Sequence, residues 1–343
     1  MIRTIIALAV ILGIDIAYAE AQGASVSVPP FTLLSSGAPS QIFSYACIGV
    51  DGISHICIGN LATGYTQALT SGTCPDIAPE WSFDGSQIAF ERDCGNDHNI
   101  FKINADGTGL AQVTTSTIAF IPTWTPSGKI VYMNMVYQPG FAFCTNNYNT
   151  PCTDLRMINA DGTGDVELLS SSWTNSSAKT LINISPHVSP DGATVMFACG
   201  PYGYGAWGGT GIQLCSIPLA AGAVAQAPTV LSAVTSAVSS DPHIGLQKIG
   251  GQYQVVFDSS RNSGNLNVFT MNEDGSNVVQ RTAFVKPIEG QDAGYNTEMT
   301  MIVFEHDTAG GAASIWLMNA DGSNQHDTGI ACNNNGCKPR FRP

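Results

Sequence analysis

A Pro-x-Trp step, Pro79-Glu80-Trp81, is echoed along the chain, and its middle residue changes type from copy to copy: Glu80, Thr123, His187, His243, Gly294 and Arg340. Two imidazoles and a carboxylate at matching places are a possible ligand set for a divalent transition metal. No local spacing such as H-E-x-x-H supports one, so the plainer reading is preferred, in which these are polar residues lining a wet channel or packed between units. No metal or other cofactor is expected.

A second constellation is aromatic. Gly200-Pro201-Tyr202-Gly203-Tyr204-Gly205-Ala206-Trp207-Gly208-Gly209 sets Tyr202, Tyr204 and Trp207 on a glycine-rich loop, and Tyr137, Phe141, Phe143 and Tyr148 stand in an earlier insertion. Such rings stack on a sugar or on a partner's side chain; equally, they fold back over their own loop. Motifs with a defined catalytic mechanism are missing: there is no G-x-S-x-G, no P-loop and no EF-hand spacing. No catalytic residue is assigned.

The elements that position these residues are repeated. Asn104-Ala105-Asp106-Gly107-Thr108-Gly109 returns at Asn159–Gly164, Asn272–Asn277 and Asn319–Asn324, each time after an alternating apolar segment such as Ser314-Ile315-Trp316-Leu317-Met318. A second phrase precedes it, Pro79 to Phe90, with copies from Pro122 and Pro186 and a degenerate one from Asp292 through Tyr295 to Phe304. Period-two segments between Asp-Gly turns, without helical periodicity, predict an all-β protein. Four strands per unit, A to D, predict a β-propeller. Asp-Gly is expected to form tight hairpins with positive φ at both central positions.

Five units are well marked, over 78–115, 120–170, 183–232, 240–283 and 290–329. A sixth, 41–70, has strands B, C and D but no strand A. Lys338-Pro339-Arg340-Phe341-Arg342-Pro343 supplies that strand, so the C-terminus is expected to close a six-bladed ring and remove its free edges. Trp81 and Trp124 are read as packing between blades.

Composition bounds the partners. The chain has 343 residues, 44% hydrophobic and 11% charged, with a formal net charge of -13. That charge disfavours nucleic acid. Arg3, the apolar run Ile5 to Ile14 and the small-x-small step Ala17-Tyr18-Ala19 read as a secretory signal, with Ala19-Glu20-Ala21 as the alternative cleavage site. No later segment is long and apolar enough to span a bilayer, so no membrane insertion is expected. The expected organisation is a signal peptide over 1–19, an extension over 20–38 and a propeller over 39–343, in the periplasm or outside the cell.

The units resemble the PD40, or WD40-like, repeats of TolB-type six-bladed propellers. Phe257-Asp258-Ser259-Ser260-Arg261-Asn262-Ser263-Gly264, followed by Val268-Phe269-Thr270-Met271-Asn272-Glu273-Asp274-Gly275, carries the likeness most closely. The resemblance implies the propeller fold over nearly all of the mature chain. TolB carries a further N-terminal α/β domain, which is not expected here because only 20–38 precede the first blade. Some TolB-like propellers, such as the oligogalacturonate lyases, are metal-dependent enzymes on polysaccharides.

Ten cysteines suit an oxidising compartment. The repeat map pairs them as Cys47 with Cys57, Cys74 with Cys94, Cys144 with Cys152, Cys199 with Cys215 and Cys332 with Cys337. The first and fourth of these pairs are expected to face each other across strands B and C. B–C and D–A loops emerge on the same face, and all five bridges are expected to belong to it. The function expected is therefore protein binding or scaffolding through this stapled face, with another exported protein as partner. The alternative is a polysaccharide-binding protein or a metal-dependent carbohydrate-active enzyme with a channel site.

Overall fold

The computed structural model describes residues 41–95, 97–115, 118–136, 152–170, 174–175, 178–179, 182–200, 211–220, 228–232, 237–308, 313–332 and 336–343. They form six four-stranded antiparallel sheets. Blade one is β1 (Ile42–Ile48), β2 (Ser54–Asn60) and β3 (Tyr65–Ala68). Blade two is β4 (Asp76–Trp81), β5 (Gln87–Asp93), β6 (His98–Asn104) and β7 (Ala111–Gln112). Blade three is β8 (Ile118–Trp124), β9 (Lys129–Val136), β10 (Cys152–Asn159) and β11 (Val166–Leu169). A two-stranded hairpin, β12 (Thr174–Asn175) and β13 (Ala178–Lys179), leads to blade four: β14 (Ile182–Val188), β15 (Thr194–Gly200), β16 (Gln213–Pro218) and β17 (Thr229–Ser232). Blade five is β18 (Ser239–Ile249), β19 (Gln252–Ser259), β20 (Asn267–Asn272) and β21 (Val279–Gln280). Blade six is β22 (Glu289–Tyr295), β23 (Met301–Asp307), β24 (Ala313–Asn319) and β25 (His326–Cys332).

The last strand, β26 (Arg340–Phe341), joins blade one, pairing Phe341 with Phe43 and Arg340 with Ser44. The innermost strands touch in ring order β4, β8, β14, β18, β22, β26 and back to β4. The chain's end thus closes the propeller, as the missing strand A requires. No helix among the described residues is long and apolar enough to cross a membrane.

The core lies between blades. Val131, Leu155 and Met157 of blade three pack with Val195, Phe197 and Ile217 of blade four. Val256 and Val268 of blade five pack with Ile302, Phe304 and Met318 of blade six. Strands B and C are buried at successive positions, as in Ile88-Ala89-Phe90 of β5 and Val195-Met196-Phe197 of β15, because each blade is covered on both sheet faces.

The repeated turn differs from the two-residue hairpin expected. Asn104 N–H donates to Thr108 O and Gly107 N–H to Asn104 O, both at 2.9 Å, and only Gly107 of the Asp-Gly pair has positive φ, +80°. This is a three-residue loop closed by a glycine in the left-handed region. The aspartate instead caps the turn, its Oδ1 accepting from Thr108 N–H at 2.9 Å. The glycine also meets the neighbouring blade: a Cβ on Gly162, Gly275 or Gly322 would lie 2.9, 2.2 or 2.8 Å from the carbonyl oxygen of Val113, Leu231 or Arg281.

Disulfides join Cys47–Cys57, Cys74–Cys94, Cys199–Cys215 and Cys332–Cys337. Cys152 is also disulfide-bonded, whereas Cys144 lies outside the described residues. The pairs across strands B and C are diagonal rather than opposite: Cys47 pairs with His55 and Cys57 with Tyr45, Cys199 with Gln213 and Cys215 with Phe197. An offset of two residues keeps both sulfurs on one sheet face, so the bridge still closes.

Candidate functional site

The central channel is shaped by a defect repeated in every innermost strand. The A–B register slips at an equivalent point in each of blades two to six, between Ile77 and Glu80, Phe120 and Thr123, Ile184 and His187, Ser240 and His243, and Gln291 and Gly294, and blade five slips again between Ile244 and Lys248. Within the slips sit Ala78, Ile121, Ser185, Asp241 and Asp292, with φ of 52°, 45°, 51°, 46° and 54°, and Lys338 in the closing strand has φ of 39°. A side chain in this region costs roughly 1–3 kcal/mol, so six equivalent instances mark a feature of the design. Five of the six precede proline, whose ring disfavours the right-handed helical region for the residue before it.

Three buried carboxylates satisfy the backbone at these bulges from the preceding blade. Glu91 Oε2 accepts from Ile121 N–H at 3.4 Å, Asp258 Oδ2 from Asp292 N–H at 3.0 Å, and Glu305 Oε2 from Cys337 N–H at 2.8 Å. Burial raises the pKa of Glu91, Asp258 and Glu305. For Asp258 the charges of Asp241 and Asp292 raise it further, and for Glu305 those of Asp292 and Asp307 do so.

Two tiers of side chains fill the channel. Lys338 bridges the first, its Nζ 2.5 Å from Asp241 Oδ1 and 2.6 Å from Asp292 Oδ1, and Ser185 Oγ donates to Asp241 Oδ1 at 2.7 Å. Burial opposes the Lys338 charge, but the two carboxylates outweigh it and hold the ammonium above its usual pKa. Asp241, Asp258 and Asp292 approach closely enough to hold a metal, yet Lys338 already supplies their cation.

The second tier holds the middle residues of the repeated step. Arg340 Nε donates to Glu80 Oε2 at 3.2 Å, and its Nη1 donates to the carbonyls of Asp292 and Pro339 at 2.7 and 3.0 Å. Gly294 lies against it: a Cβ there would stand in ordinary contact with Arg340 Cδ, at 3.4 Å. Across from Arg340, the rings of His187 and His243 lie 4.2 Å apart between centroids. Ile244 N–H donates to His187 Nδ1 at 3.2 Å, and His243 Nε2 faces Glu80 Oε1 at 3.9 Å. His243 Nδ1 is buried without a hydrogen-bond partner among the described residues. Burial, then the charge of Arg340, lowers the pKa of His187 to about 3; burial and then His187 lower that of His243. Burial pushes Glu80 up to about 7, with Arg340 holding it from rising further.

Glu80, His187 and His243 are thus brought together, with Arg340 on the glutamate. Thr123 lines the adjoining cavity but contributes no ligand to the set. These residues lie inside the ring, with Thr123, His187, His243 and Arg340 all buried. Tyr148, Tyr202, Tyr204 and Trp207 lie outside the described residues. The sequence reading missed Asp241, Asp292 and Lys338. Their signal was position, two residues before the middle residue of each step, with proline following Asp241 and Lys338 and alanine following Asp292.

No family model and no curated protein matches the sequence. Solved structures do resemble the fold. TolB from Acinetobacter baumannii superposes with a TM-score of 0.64 at 14% identity, over 90% of this chain and 68% of that one. Hydrazine synthase of Kuenenia stuttgartiensis gives 0.63 at 15% identity, over 87% of this chain and 46% of that one. Oligogalacturonate lyase in complex with manganese gives 0.53 at 12% identity, over 84% of this chain and 73% of that one. The chain is a six-bladed β-propeller of the TolB-like fold.

Proposed function

We propose that this propeller is an exported binding subunit that docks another exported protein on its disulfide-stapled end. The observation that carries the reading is the placement of the cysteines. All four described bridges, and bonded Cys152, lie at the end where the B–C and D–A connections emerge. A covalent staple restrains a loop that lacks a ladder of its own, and a restrained loop loses less entropy on binding. The opposite end consists of turns whose polar groups bond internally, as Thr108 and Ser323 do to Asp106 and Asp321.

The most exposed apolar tips lie at this end, although Leu110, Val230 and Ile249 are exposed at the other. Val50 in the B–C loop of blade one is fully exposed, and Val285 between blades five and six is 70% exposed, the two highest values among described large apolar residues. A photoreactive amino acid at Val50 or Val285, expressed in the native host, is expected to capture one protein in near-stoichiometric yield. The same group at Ile249, on the opposite end, is expected to capture none. Equal capture from both ends, or none from Val50 and Val285, would overturn the reading. Intact-mass measurement of the native protein tests export separately, with a new N-terminus at Glu20 or Gln22 expected.

A further inference from the structure

We propose that Glu91, His98 and Asp93 form a proton-operated clamp in blade two, closed while the His98 ring carries a proton on each nitrogen and released when it loses one. The clamp lies at the stapled end but does not depend on the docking reading.

The ring faces acceptors on both sides. Asp93 stands opposite His98 in the β5–β6 ladder, and Glu91 lies two residues back on the same sheet face. His98 Nδ1 is 3.2 Å from Glu91 Oε1, and Nε2 is 3.3 Å from Asp93 Oδ1. The Gly95 carbonyl is a further acceptor for the ring. A neutral imidazole has one N–H and one lone pair. In that form one nitrogen would turn its lone pair on a carboxylate oxygen, whereas the imidazolium gives a donor to each side.

The surroundings leave those carboxylates in charge. His98 is 7% exposed and Glu91 3%. The Phe120 ring of blade three covers the imidazole at 4.7 Å between centroids, and neither Phe120 nor Ile121 of β8 carries a charge. Arg92 points to the other sheet face, where Asp76 takes it at 2.6 Å, and Asp97 accepts from Asn99 Nδ2. Burial opposes the imidazolium, but the hydrogen bond to Glu91 and the charges of Asp93 and Glu91 outweigh it and raise the pKa of His98.

Blade six shows the same carboxyl pair without the ring. Glu305 and Asp307 hold the equivalent places in β23, and Ala313 stands opposite Asp307. Glu305 Oε1 and Asp307 Oδ1 are buried with no donor among the described residues, and burial raises the pKa of both groups. Two such carboxyls must retain a proton of their own; in blade two the imidazole brings it.

The clamp joins separate parts of the fold. Glu91 Oε2 accepts from Ile121 N–H at the bulge of blade three. Asp93 Oδ1, which faces the ring, also accepts from Gly95 N–H at 2.7 Å, and Gly95 follows Cys94, stapled to Cys74. Loss of the ring proton therefore loosens the turn after Cys94 and the seam between blades two and three together. A histidine with a folded pKa above its unfolded value stabilises the fold fully below about pH 6.5, and that contribution is lost as pH rises through the folded value.

The test uses the full chain with isotope-labelled histidine, followed by nuclear magnetic resonance. The His98 signals are those missing from His98→Gln, and ring contacts to Phe120 identify them if that variant does not fold. Both ring nitrogens are expected to be protonated at about pH 6.5 and to titrate above the usual imidazole range. Glu91→Gln is expected to lower that midpoint by about one unit or more. Hydrogen-exchange protection at the Gly95 amide should fall with the same midpoint, while that at Thr108, held by Asp106 Oδ1 in the same manner, should not. Between about pH 6 and 9 the urea midpoint of the wild type should fall further than that of His98→Gln. A neutral His98 ring at about pH 6.5, a midpoint unmoved by Glu91→Gln, Gly95 protection that outlasts the proton, or one pH dependence shared by wild type and His98→Gln would overturn the proposal.

Discussion

Lys338 Nζ lies 2.6 Å from Asp292 Oδ1, and the same ammonium reaches Asp241 of blade five. The closing strand is therefore held electrostatically as well as by its two ladder pairs with blade one. Lys338→Met removes the ammonium while keeping most of the side-chain volume, and leaves Asp241, Asp258 and Asp292 facing one another. Breaking one partner of a buried pair costs about 3–5 kcal/mol. An unfolding free energy lowered by that amount, read as a lower urea midpoint, is expected. An unchanged midpoint would mean that the ring closes without this contact.

Gly275→Ala tests the contact between the repeated turn and the neighbouring blade. Gly275 and Gly52 both have positive φ, +85° and +77°. A Cβ on Gly275 would lie 2.2 Å from Leu231 O, whereas nothing lies within 4 Å of one on Gly52. Both substitutions carry the backbone penalty, so their difference isolates the clash. Gly275→Ala is expected to be the more destabilising by about 1–3 kcal/mol, the usual range for overpacking, in parallel denaturant melts.

Much of the architecture was legible because the repeat is a property of local turns. Asp-Gly spacing gave the blade count, and the unpaired Pro339-Arg340-Phe341 gave the closure. The channel was half legible. The middle residues Glu80, His187, His243 and Arg340 follow from strand alternation, which places equivalent residues at equivalent heights. Asp241, Asp292 and Lys338 did not follow, because strand alternation alone does not reveal the left-handed bulge that turns these residues into the channel. The diagonal offset of Cys47 and Cys57 was hidden for a similar reason: it depends on loop length, which Asp51-Gly52 alone does not specify.

The turn aspartates carry a pH dependence. Hydrogen bonds from the Thr or Ser side chain and then the backbone two residues on lower the pKa of Asp106, Asp161, Asp274 and Asp321. A carboxylate with a folded pKa below its unfolded value stabilises the fold above the unfolded pKa, and that contribution is lost as pH falls through the folded one. Thermal melts of the wild type stepped down from about pH 5 should therefore show Tm falling below about pH 4. With all four aspartates changed to asparagine the decline should be shallower. Parallel curves for the two proteins would contradict the assignment.

Trp124→Phe separates packing from hydrogen bonding at the inner strands. Trp124 Nε1 donates to Glu80 O, and Trp81 Nε1 donates to Arg340 O, each at 3.1 Å. Each indole thus crosses from its own blade to the innermost strand of the preceding one. Phenylalanine fills most of the same space but leaves the Glu80 carbonyl without its donor, a cost of about 1–3 kcal/mol for a buried group. Trp316 provides the comparison, since its Nε1 donates to Ser314 Oγ within the same strand at 3.0 Å. Trp316→Phe strands no carbonyl of another blade and is expected to cost less. Urea melts of the two variants read that difference directly, and equal losses would show that the Trp124 indole braces the blades by packing alone.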